Sequence, residues 1–222
     1  SEGAPVFYAR VDHVSVPLDK EGTGQVVVDF TPEPLTQDVS FAFHIEKTAG
    51  VVVDSLTAEI SGVPSTMELT TGLILAQKTY KLLFRPAYAA LPSAADSTST
   101  EALRCEAAVN IPGIVRSHTE DMVTGPGILQ IAIYTHYDYE EEGTQRKAAK
   151  VFHAGINLYH TLKECKSLQW DEEAGGYRQA SRSITVEIDT PLEIDKDGIL
   201  NSGSTSTGLD QWIPGETFEI EV

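Results

Sequence analysis

The residues with the most chemical promise are His136, Asp138 and His153. Side chains on an extended strand repeat every two residues, so His136, Asp138 and Glu140 share one face. With His153 on the returning stretch, the set has the donors of a divalent-metal site. The plainer reading is a solvated strand surface, and no metal ligand is assigned. Asp195-Lys196-Asp197-Gly198 resembles the start of a calcium loop. The later oxygen ligands and the closing Glu are not at the required spacing, so Asp-Gly reads as a turn. Trp170, Trp212 and Tyr137, with Tyr139 beside it, are the candidate ligand contacts, a stacking platform for a sugar. The same aromatics serve a core or an interface equally well.

Nucleophilic and phosphate chemistry find no support. The chain has no nucleophile elbow, no phosphate-binding P-loop and no HExxH pair. Gly22-Thr23-Gly24 leads into a strand pattern, not a helix, which rules out a dinucleotide fingerprint. The acids are so numerous that any two falling close together carry no weight for glycoside hydrolysis. The chain therefore reads as non-enzymatic, with no catalytic residue and no cofactor. Cys105 and Cys165 lie too far apart for a CxxC site. They are either two buried thiols or one long-range disulfide.

Charge narrows the partners. The 222 residues carry a formal net charge of -17. Nucleic acid is bound through Lys and Arg, so it is excluded as a partner, and direct adhesion to an anionic membrane is disfavoured. No apolar run is long enough to span a bilayer as a helix. Ser1-Glu2-Gly3-Ala4 reads as a trimmed end, not a signal segment.

The elements that must position these residues are strands. Leu56, Ala58 and Ile60 alternate with Thr57, Glu59 and Ser61, and the same period of two runs through Met67–Thr71 and Tyr80–Arg85. With a tight reversal at Ser61–Ser65 and a break at Gly72, the spacing predicts a three-stranded meander. Further strands are expected over Val6–Leu18, Gln25–Phe30, Val39–Ile45, Leu103–Ile111, Ile128–Tyr139, Ile184–Ile188 and Thr217–Val222. A hairpin through Glu140–Gln145 returns the chain along Ala149–Leu162, a helical turn or two fits 161–168, and Trp170–Tyr177 reads as a hairpin tip. The Ser/Thr/Ala-rich stretch 87–100 has no apolar period and reads as a linker. The expectation is an all-β chain of two β-sandwich domains, 1–92 and 93–222. Phe41, Phe43, Leu56, Ile60, Leu69, Leu82 and Phe84 should fill the first core.

Three segments carry a resemblance: Phe43-His44-Ile45-Glu46, the run Leu56–Leu69, and the closing Trp212–Val222. They resemble fimbrillin-like proteins of Bacteroidetes, more narrowly the minor-fimbrium anchor and tip branch, and a related Bacteroides family of unknown function. The resemblance implies transthyretin-like Greek-key sandwiches and export through a lipoprotein signal whose lipid-bearing cysteine precedes Ser1. It also implies a structural or adhesive place on the outer membrane or in a type V pilus, with other pilus subunits as partners through strand addition. Membrane attachment would run through that lipid alone. The family has no catalytic residues to carry over. Val6–Leu18 and Thr217–Val222, its acids outward, are the segments expected to act as exchangeable edges. The alternative reading is a glycan-binding surface lipoprotein.

Overall fold

The computed structural model describes residues 7–9, 11, 13–15, 27–91, 100–200 and 210–220. Within them the chain is built of β1 (Phe7–Tyr8), β2 (Glu33–Pro34), β3 (Gln37–Thr48), β4 (Val51–Glu68), β5 (Leu73–Phe84), β6 (Ala87–Ala90) and β7 (Thr100–Ile111). There follow β8 (Ile128–Glu141), β9 (Thr144–Asn157), the single helix α1 (Tyr159–Glu164), β10 (Leu168–Asp171), β11 (Gly176–Gln179), β12 (Ser183–Ile194) and β13 (Trp212–Ile220). The all-β expectation is met. β1 and β2 pair with each other; the rest form a seven-stranded sheet, β10-β11-β5-β4-β8-β9-β13, and a four-stranded sheet, β12-β3-β7-β6.

The two larger sheets share one core. Phe41 of β3 stacks on Phe84 of β5 with ring centroids 5.0 Å apart, and Phe43 meets Trp212 edge-on at 5.9 Å. Leu56, Ile60, Ile131, Ile133, Phe152, Ile184 and Val186 belong to the same buried cluster. Each sheet thus contributes alternate residues, as face-to-face packing requires.

This pairing corrects the division at residue 92. β4 lies between β5 and β8, and β3 lies between β7 and β12, so strands from both sides of residue 92 interleave in both sheets. Ala87–Ala90 and Thr100–Ile111 are strands, and Leu91 donates to the Ala102 carbonyl at 2.8 Å. The Ser/Thr-rich composition marks a connection between adjacent strands, not a domain boundary; residues 92–99 lie outside the described residues.

The meander is also corrected. β4 is one continuous strand through Ser61–Ser65, with register shifts against β5 between Ile60 and Val63 and again between Pro64 and Thr66. Gly and Pro here make bulges, which insert residues into a strand without reversing it. The true reversal comes at residues 69–72, and Leu69, expected in the core, is 57% exposed on that turn. Leu82 and Phe84 pack against the core only partly buried. Near the start, only Phe7–Tyr8 of the expected Val6–Leu18 strand is a strand among the described residues, and 27–30 is not one. The β8–β9 hairpin is as expected, with Glu142 and Gly143 both at positive φ, the conformation of a tight two-residue turn.

Candidate functional site

The aromatic platform does not assemble. Trp212 begins β13 facing the core, is 2% exposed, and donates its indole N–H to the Thr190 carbonyl at 2.8 Å. It is a packing residue, and its assignment as a ligand contact is corrected. Tyr137 lies on β8 beside buried Lys150, whose Nζ sits 5.6 Å from the Tyr137 ring centroid. Burial works against the charge on Lys150, yet Glu219 at 3.3 Å and Tyr137 hold its pKa above the ordinary lysine value. Trp170 stands apart on β10, 55% exposed, edge-on to Tyr177 at 5.1 Å.

Nor do the metal candidates converge. His136 Nδ1 lies 2.8 Å from an oxygen of Asp54. His153 packs edge-on against Phe218 at 5.7 Å. His136 is opposite Ala149 and His153 opposite Ala132, a stagger of four residues. At about 3.3 Å per residue the two imidazoles are rooted about 13 Å apart along the strands. Among the described residues no group of three His, Cys, Asp or Glu side chains is arranged to hold a metal. Asp195 forms the expected turn, accepting from the backbone N–H of Asp197 and Gly198 through Oδ1.

Both cysteines are free thiols. Cys105 is fully buried in the core and Cys165 partly so, and burial pushes both pKa values up, that of Cys105 to about 12. A thiol this far from ionising is inert as a nucleophile.

The distinctive geometry is at the rim of the four-stranded sheet, and no periodicity in the sequence announces it. β7 is 12 residues long, but its outer neighbour β6 has 4, paired from Leu103 to Glu106. No strand of the described residues pairs with Ala107–Ile111 on that side. Leu103, Cys105 and Ile111 are buried, whereas Ala107 and Val109 between them are only half-buried. Leu82 and Phe84 of the facing sheet are half-buried as well, and Tyr80 is exposed. The result is a half-buried apolar patch beside a stretch of β7 that has no strand neighbour on that side among the described residues.

Three of the other edges are blunted, while β5 beyond its one β11 pair at Ile74 also lacks a strand neighbour on its outer side among the described residues. β12 carries Pro191 at its register shift between Ile188 and Leu192. β13 carries Pro214 at its own shift, and β10 has 4 residues. Prolines, bulges and brevity are the usual protections of an edge, and Ala107–Ile111 has none of them. The closing strand lies at the edge of the seven-stranded sheet with the Glu219 side chain outward, 79% exposed. Thr217–Ile220 pairs with β9, and Glu219 reaches the buried Lys150 while Phe218 and Ile220 stand half exposed. Comparison with protein-family models, curated proteins and solved structures finds no match.

Proposed function

We propose that this protein is a non-enzymatic structural subunit of a bacterial cell-surface filament, an anchor or tip component of a type V pilus, that accepts a strand from a neighbouring subunit. The bare half of β7 carries the reading. An extended segment added beside Ala107–Ile111 pairs the free N–H and C=O groups of the edge and covers Val109, Leu82 and Phe84 with alternate side chains. Five residues at about 3.3 Å each span about 17 Å of edge. The resemblance of Phe43–Glu46, Leu56–Leu69 and Trp212–Val222 to the fimbrillin-like proteins supplies the cellular setting: a transthyretin-like sandwich, exported as a lipoprotein and held at the outer membrane.

The test uses a chain lacking residues 1–18 and a fluorescent peptide copying them. Binding by the shortened chain that Val109→Lys abolishes supports strand uptake at this edge. A shortened chain that stays folded by circular dichroism and ignores the peptide refutes it.

A further inference from the structure

Trp170 opens onto a second concavity, independent of the strand edge, whose charge runs against that of the whole molecule. The loop after β7, the end of α1 and the β10–β11 hairpin enclose about 370 Å³ between them, within the range of small-ligand sites. Its walls carry Arg116, Lys163 and Lys166 and no acid. The chain has 33 Asp and Glu against 16 Lys and Arg, so a lining whose charged groups are all basic is a clear local inversion. These cations have no carboxylate partner among the described residues, unlike Lys47, Lys81, Arg104, Arg146, Lys150 and Arg178.

Each is positioned by the backbone or by packing. The Arg116 guanidinium lies 4.7 Å from the centroid of the Tyr159 ring, which holds its long side chain in place. Lys163 sits in the last turn of α1. Lys166 ends that helix at φ 53, a conformation that glycine usually fills at a helix terminus. The nearest acid in sequence to Trp170 is turned to other partners: Asp171 accepts from Arg178 Nε at 2.7 Å and from the Ala174 N–H at 3.0 Å. Trp170 itself is braced edge-on by Tyr177, leaving more than half its surface open.

We infer that this pocket binds an acidic saccharide, a pyranose bearing a carboxylate or a sulfate. The indole of Trp170 takes the apolar face of the sugar ring, and Arg116, Lys163 and Lys166 take the anion. Screening makes this local preference workable. With a Debye length of about 8 Å at physiological ionic strength, the three adjacent cations outweigh acids spread over the rest of the surface.

The experiment titrates the full chain calorimetrically with a hyaluronan tetrasaccharide (carboxylate), a chondroitin 6-sulfate tetrasaccharide (sulfate and carboxylate), cellotetraose (neutral) and AMP. Both acidic sugars should bind, cellotetraose at least about tenfold more weakly, since one charge-assisted hydrogen bond accounts for that factor. Trp170→Ala should abolish binding, and Arg116→Gln and the Lys163→Gln/Lys166→Gln pair should each weaken it about tenfold or more. Added salt should weaken binding if the pocket cations hold the ligand. Failure of both acidic sugars to bind, equal affinity for cellotetraose, tighter binding of AMP, or indifference to all three substitutions overturns the inference.

Discussion

Replacing Gly62 with Ala should be far more damaging than its position in a strand suggests. Gly62 holds φ +85, and a Cβ there would lie 2.7 Å from both the Gly127 nitrogen and the Val115 carbonyl oxygen. Both obstacles are backbone, so neither can swing aside. Forcing an L side chain into the left-handed region costs about 1–2 kcal/mol. Relieving the clash would break the Val115 N–H bond to the Gly62 carbonyl (2.9 Å) and the Gly127 N–H bond to the Ser61 carbonyl (3.1 Å). Each such bond is worth about 1 kcal/mol net, so the total loss is about 3–4 kcal/mol. Gly50→Ala is the control, because Gly50 has φ +92 and nothing within 4 Å of the added carbon. It should lose only about 1–2 kcal/mol. Urea unfolding of the two variants checks the difference, and a Gly62→Ala chain no less stable than Gly50→Ala refutes the bulge-and-loop account. Because the same loop carries Arg116, Gly62→Ala should also loosen the basic pocket.

The two tryptophans should separate cleanly: Trp212→Ala should cost about 3–5 kcal/mol through cavity formation, and Trp170→Ala no more than about 0.5 kcal/mol, both measured by urea unfolding. In thiol labelling of the native chain Cys165 should react ahead of Cys105, with both reacting in urea; equal native rates would contradict the burial of Cys105. Its pKa is raised in the fold from 9.0 to about 12, so this thiol's contribution to stability is complete below pH 9.0 and lost as pH rises towards 12. Cys105→Ala should therefore flatten the alkaline limb of the stability profile. Asp171 shows the opposite sign: bonds from Arg178 and the Ala174 N–H lower its pKa, so its contribution is full above 3.8 and vanishes as pH falls through the lower folded value. Asp171→Asn should be less stable than the parent at neutral pH, and the gap should close in acid; a gap unchanged below pH 3.8 would refute this.

Alternation was a faithful guide wherever one face of a strand meets the core. Phe41, Phe43, Leu56 and Ile60 are buried as their spacing implies. It misled where a residue type serves two geometries. Gly62 and Pro64 signal a reversal as readily as a bulge, and what decides is the loop that docks on them from residues 113–127, distant in sequence. The parallel pairing of β12 with β3 sets Ile184 beside Val39, 145 residues apart in sequence (184 − 39), and no local pattern encodes it. Trp212 reads as an exposed aromatic beside Pro and Gly, yet it is the first inward residue of the edge strand β13. The pocket cations were invisible for the same reason: Arg116 and Lys163 are brought together only by the fold.

A free edge is dangerous to a protein that carries one, because copies of the chain can pair through it. Here the protections are unevenly placed: proline and register shifts on β12 and β13, brevity on β10, and nothing of the kind along Ala107–Ile111. Had the whole perimeter been left open, aggregation would be the expected outcome; had all of it been blunted, no strand could be taken up. The net charge of -17 adds a second selection, since two copies approaching edge to edge repel each other over the range that salt leaves unscreened. An incoming strand of low or positive charge escapes that penalty. Under the proposed strand uptake, a segment covering Val109, Leu82 and Phe84 would combine period-two hydrophobicity with few acids. By that criterion the chain's own acidic terminus, with Glu216, Glu219 and Glu221, is a poorer donor than Val11–Leu18, which holds one acid, Asp12, and apolar residues at 14, 16 and 18.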